Sequence, residues 1–142
     1  METVAEQLSF SAIAAEDLDT FYRQKEKILT ATIEKISNCT QFDDIVSDGE
    51  RMRLARECTS IFTENFHATA KYNLPQALLE YLDWLRNFLR HRNFPATFIP
   101  TMICALRHAT HAFMENANSD AIASVLMQLQ RHERTIAEEV TA

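Results

Sequence analysis

The chain has 142 residues, 46% of them hydrophobic and 24% charged, with a formal net charge of −6. That length suits one domain around one core, and the acidic balance excludes the broad basic footprint of a general nucleic-acid binder. The single glycine, Gly49, excludes a glycine-rich phosphate loop and disfavours all-β folds, whose hairpin turns lean on glycine.

Residues 1–14 mix Val4, Leu8, Phe10 and Ile13 with small residues, the pattern of an N-terminal arm or a short helix. From Ala15 to about Ser37, Leu18, Phe21, Tyr22, Ile28, Leu29, Ile33 and Ile36 recur near three- and four-residue spacing, which predicts one amphipathic helix. Glu16 and Asp17 fall in its first turn, where the helix dipole favours anions. Residues 39–47 read as a connector with a helical turn anchored by Phe42, Ile45 and Val46. Ser47-Asp-Gly-Glu50 has capping-box spacing, so a helix is expected over 48–72, with Met52, Ala55, Cys58, Thr59, Phe62, Phe66 and Ala70 on its buried stripe.

Asn73-Leu-Pro75 breaks that helix and starts the next, since proline suits a first turn. Over 75–92 the apolar face holds Leu78, Tyr81, Leu82, Leu85, Phe88 and Leu89, and Asn93-Phe94-Pro95 ends it. Another helix is expected from Pro95 or Ala96 to Asn116, with Phe98, Ile99, Met102, Ile103, Leu106, Ala109, Thr110 and Phe113 inward. Pro100 falls in its first turn or marks a kink just after it. Ser119 is the expected N-cap of the last helix, which carries Ile122, Val125, Leu126, Leu129, Ile136 and Val140. The expectation is a single all-α domain over 1–142, with five to seven helices and no repeat or linker. Short links make sequence neighbours antiparallel. An antiparallel helical bundle and a globin-like arrangement both satisfy the periodicity.

Cys39, Cys58 and Cys104 are odd in number and form no CxxC or Cys/His metal pattern, as expected of reduced thiols in a cytoplasmic protein. No basic segment followed by an apolar core opens the chain. No apolar run approaches the roughly 20 residues of a membrane span, so no membrane partner is expected. The charge is uneven. Residues 1–50 carry eleven acids against four bases, whereas residues 84–114 carry Arg86, Arg90, Arg92 and Arg107 and no acid. That run reads either as the polar face of a helix pair or as a patch for an acidic partner or anionic ligand.

No His-Glu-x-x-His and no Gly-x-Ser-x-Gly is present, so no catalytic residue is assigned and no cofactor is expected. His108, His111 and Glu115, three and four residues apart, are the candidate metal ligands if one helix carries all three. A polar outer helix face explains them as well. In a globin-like fold one helical histidine would hold haem iron, with His67, His91 and His108 available. Tyr81, Trp84 and Phe88 lie at i, i+3 and i+7, a stripe that serves a core as readily as a cofactor. The candidate cofactor-binding set is therefore His67, Tyr81, Trp84, Phe88 and His108.

The run Tyr81-x-x-Trp84-Leu85-x-x-x-Leu89-x-x-Arg92-Asn93-x-Pro95, followed by a helix with Leu106, resembles the last half of two helical regulatory modules. One is the N-terminal helical cap of bacterial cobalamin-dependent regulators. The other is the non-haem globin-like N-terminal domain of stressosome RsbR-type co-antagonists. The resemblance covers roughly residues 50–115. It implies a sensor-like or cap-like domain without its output partner, since neither an Asp-x-His-x-x-Gly cobalamin loop nor an anti-sigma-antagonist-type domain is present. The expected function is a non-catalytic bacterial regulatory domain that acts by protein–protein contact, as a homodimer and/or with another regulatory protein. The expected contact residues are Trp84, Arg86, Arg90, Arg92 and Phe94. The alternatives are a globin-like domain binding a small molecule or tetrapyrrole (haem or cobalamin), and a metal-dependent enzyme with a helical His/Glu site.

Overall fold

The computed structural model describes Val4, Leu8 and residues 10–141, leaving aside the side chain of Thr141. The elements are α1 (Ala15–Arg23), α2 (Lys25–Ser37), α3 (Asp43–Val46), α4 (Gly49–Lys71), α5 (Pro75–Arg90), α6 (Phe98–Phe113) and α7 (Asn116–Thr141). Turns of 3-10 helix occupy Phe10–Ala12 and Thr40–Phe42, and no strand occurs among the described residues. The all-α, single-domain expectation is met. Of the N-terminal arm, Leu8, Phe10 and Ile13 are buried and Phe10 packs edge-on against Phe66; residues 1–3, 5–7 and 9 lie outside the described residues.

The helix expected over 15–37 is two helices. Gln24 leaves helical geometry with φ −92° and ψ 3°. Both helices touch α4, and the break lets α1 also meet α7 while α2 meets α6. Phe21 of α1 packs edge-on against Phe66 of α4, and beyond the break Ile28, Thr32 and Ile36 of α2 turn inward as α2 packs on α6. The cap of α4 is Asp48 rather than Ser47. The Asp48 carboxylate accepts hydrogen bonds from the Glu50 and Arg51 amides at 3.0 and 3.3 Å, and its charge suits the helix N-terminus better than a hydroxyl does.

Helices α4 and α5 end in the same way. Asn73 (φ 52°) and Asn93 (φ 62°) take the left-handed conformation where glycine is usual. At the end of α4 the Leu74 amide donates to the Thr69 carbonyl and the Asn73 amide to that of Ala70. At the end of α5, Phe94 donates to Leu89 and Asn93 to Arg90. Asparagine thus supplies the two sharp turns of a chain nearly free of glycine.

The core centres on α6, which packs against α2 on one side and α7 on the other. Its Phe98, Met102, Ile103, Leu106 and Ala109 are fully buried. Phe98 meets Phe42 and Phe94 edge-on at 5.5 and 5.1 Å. Buried hydroxyls of Thr32, Thr59, Thr63, Thr69 and Thr110 donate to carbonyls one turn back, so these five polar side chains enter the core with their donors satisfied. The expected cap Ser119 instead lies inside α7, buried, with its Oγ 2.8 Å from His111 Nδ1. The helix starts at Asn116, where the Glu115 carbonyl accepts from the amides of Asn118 and Ser119.

Candidate functional site

Helix α5 divides the expected contact set between two flanks. Its buried stripe is Leu78, Leu82, Leu85 and Leu89. On one side of that stripe, at three- and four-residue spacing, stand Tyr81, Trp84 and Phe88. Trp84 stacks on Tyr81 at 6.1 Å and on Phe88 at 4.9 Å, and the Arg92 guanidinium caps the Phe88 ring at 3.6 Å. Trp84 is 57% exposed. Tyr81 is half-buried with its hydroxyl unpartnered among the described residues, and burial raises its pKa above the usual phenol value. Burial likewise pushes the Cys58 thiol of α4 up to about 11.

The other flank is polar. Arg86 donates through Nε and Nη2 to both oxygens of Glu133 on α7, at 3.0 and 2.8 Å, and through Nη1 to Asp83 at 2.8 Å. Glu133 is 2% exposed. Burial alone would lower the Arg86 pKa, but the hydrogen bonds to Glu133 and Asp83 outweigh it and hold the guanidinium above its ordinary value. Arg86 is therefore an internal ion-pair partner, which removes it from an open cationic patch. Arg90 is exposed and donates to the Asn87 side-chain oxygen at 3.1 Å. Phe94 is buried against Phe98. A cavity of about 270 Å³ joins Arg86, Arg90 and Phe94 to Glu133 and Ile136, and neither Trp84 nor Arg92 reaches it.

The other candidates do not converge. The His67 ring lies 4.3 Å from that of Tyr22, tilted by 34°, in a polar cleft with Asp19, Arg23, Glu64 and Lys71, and burial lowers its pKa. The cleft includes none of Tyr81, Trp84, Phe88 or His108, so the five proposed cofactor residues share no pocket there. His108 is exposed on α6, its pKa lowered by burial and by the neighbouring Arg107. His91 sits at the C-terminus of α5, its Nδ1 at 2.7 Å from the Asn87 carbonyl. The metal trio fails on geometry. Helix α6 stops at Phe113 and Met114 turns extended (φ −130°, ψ 147°), so Glu115 loses the helical register with His111. His111 is bound to Ser119 instead, and no group of three His, Cys, Asp or Glu side chains among the described residues is placed to hold a metal ion.

Glu133 was not among the expected site residues. Its one sequence signal is a carboxylate inside an apolar stripe, four residues after Leu129 and three before Ile136. No helix among the described residues is long and apolar enough to cross a membrane. No protein-family model, no curated protein and no solved structure matches the chain.

Proposed function

We propose that the chain is a non-catalytic, cytoplasmic bacterial regulatory or sensor-like domain that acts by protein–protein contact, and that the aromatic flank of α5 meets the same flank of a second copy. The observation that carries this reading is Trp84, 57% exposed within a row of stacked rings. Large aromatic side chains left open on a helix face are a common feature of contact surfaces. Exposed large apolar side chains also concentrate here: Ile61, Tyr72, Leu74 and Trp84 all belong to the α4–α5 hairpin.

The flank is self-complementary. Along it run Glu80, Tyr81, Trp84, Phe88 and Arg92, an acid at one end and a base at the other. A two-fold axis crossing α5 midway between Trp84 and Phe88 lays Trp84 over Phe88 of the second copy, and Glu80 over its Arg92. This is the isologous pairing that closed dimers use. Covering the open half of one indole removes on the order of 100 Å² from water, about 2.5 kcal/mol for each copy. Two indoles then supply more than half of the ~8 kcal/mol that micromolar association represents, before its entropic cost.

A charge-swap series read by sedimentation equilibrium tests the pairing. Glu80→Arg and Arg92→Glu should each weaken the dimer, and the double variant should restore it. Failure of the double variant to recover would exclude this antiparallel register.

A further inference from the structure

The cavity on the opposite flank of α5 has the makings of a ligand site. It lies between the last turns of α5, the link that follows them and the C-terminal half of α7. Leu89, Phe94, Ile99, Ile136 and Ala137 give it apolar walls, and Val140 stands 59% exposed at its rim. Such concave apolar sites with a few convergent polar groups are where small molecules bind. We propose that this cavity takes a small apolar carboxylate, its hydrocarbon body against these walls and its carboxylate on Arg90.

The charges at the site select an anion. Both Glu133 oxygens are engaged by Arg86, and the remaining Arg86 contact goes to Asp83, so Arg86 is held by two carboxylates and offers a ligand no free cation. Arg90 differs. Its one side-chain hydrogen bond among the described residues goes to Asn87, which leaves most of its five N–H donors open. A guanidinium matches a carboxylate with two parallel hydrogen bonds, and apolar walls strengthen such a pair. A cationic ligand would have to take Glu133 from Arg86 while lying beside Arg90. The volume, about 270 Å³, sets the size. At about 30 Å³ per water it holds on the order of ten non-hydrogen atoms of ligand. The site does not depend on the dimer reading, because Trp84 and Arg92 lie outside it.

Isothermal titration calorimetry of the full chain with 3-phenylpropionate and with 3-phenylpropan-1-ol tests the assignment. The carboxylate should bind one per chain, about tenfold more tightly than the alcohol. Arg90→Gln should remove that preference and leave alcohol binding unchanged. Ala96→Trp, at an exposed position on the cavity wall, should block both, and circular dichroism should show wild-type helicity for each variant. Equal binding of acid and alcohol, binding of neither, or undiminished carboxylate affinity in Arg90→Gln or Ala96→Trp would overturn the proposal.

Discussion

On one flank of α5, Tyr81, Trp84 and Phe88 stack on one another and leave the indole in the open. On the other flank, Arg86 is clamped between Asp83 and a buried Glu133. The sequence groups Trp84, Arg86, Arg90, Arg92 and Phe94 as one contact set and does not tell the two flanks apart. The difference lies in partners distant along the chain. Aromatic spacing says which residues share a face but not how far that face reaches round the helix. An arginine count gives the charge present but not the charge left over after ion pairing. Arg86 reaches Glu133 across 47 positions, and no local motif records that contact.

The ion pair offers the largest effect by which to sharpen the contrast. Glu133→Ala leaves the Arg86 guanidinium partly buried without its main partner, and should cost about 2–4 kcal/mol in urea denaturation. The double variant Arg86→Met/Glu133→Leu should recover most of that loss, because it removes both charges together. If the single variant is neutral, the polar flank is not held by this pair.

On the aromatic flank, Tyr81→Phe removes a buried hydroxyl that has no partner among the described residues. Stability should rise by about 1 kcal/mol in the same assay. The ionisation of Tyr81 and Cys58 adds a pH signature. Burial holds the Cys58 thiol near 11 against an ordinary value near 9, and it raises Tyr81 as well. The unfolded chain therefore loses these protons first as pH climbs. It binds fewer protons than the folded chain, and stability falls between about pH 9 and 11. Urea midpoints at the two ends of that window should differ less in Cys58→Ala/Tyr81→Phe than in the wild type. The smallest effect belongs to Arg92, whose guanidinium covers the Phe88 ring from an exposed position. Arg92→Ala should cost about 0.5–1 kcal/mol, read from the shift in thermal midpoint.

Much of the fold was legible because helical period and burial coincide. Phe98, Met102, Ile103, Leu106 and Ala109 read inward and are inward. Pro75 and the Asn73 and Asn93 turns were also plain, since proline favours a first helical turn and asparagine tolerates a positive φ. The break at Gln24 was not, because apolar spacing runs through it uninterrupted and only the packing of α1 toward α7 and of α2 toward α6 reveals it. Helix caps were half legible. The Ser47-to-Glu50 spacing marked the start of α4, but the adjacent Asp48 takes the role. The metal trio depended on a helix extending to Asn116, and the turn at Met114 ends that register. The resemblance to regulatory modules rests partly on core leucines, since Leu85, Leu89 and Leu106 are buried here. Trp84, 57% exposed, is the aromatic side chain of that run left open to a partner.

The most direct test of the α5 contact is sedimentation velocity of the wild type and Trp84→Ala over a concentration series, paired with their denaturation midpoints. The exposed indole predicts a wild type that dimerises with rising concentration. It predicts a variant that stays monomeric and folded, losing about 1–2 kcal/mol of monomer stability with its two ring contacts. A wild type that remains monomeric throughout, or a Trp84→Ala variant that dimerises as the wild type does, would contradict it.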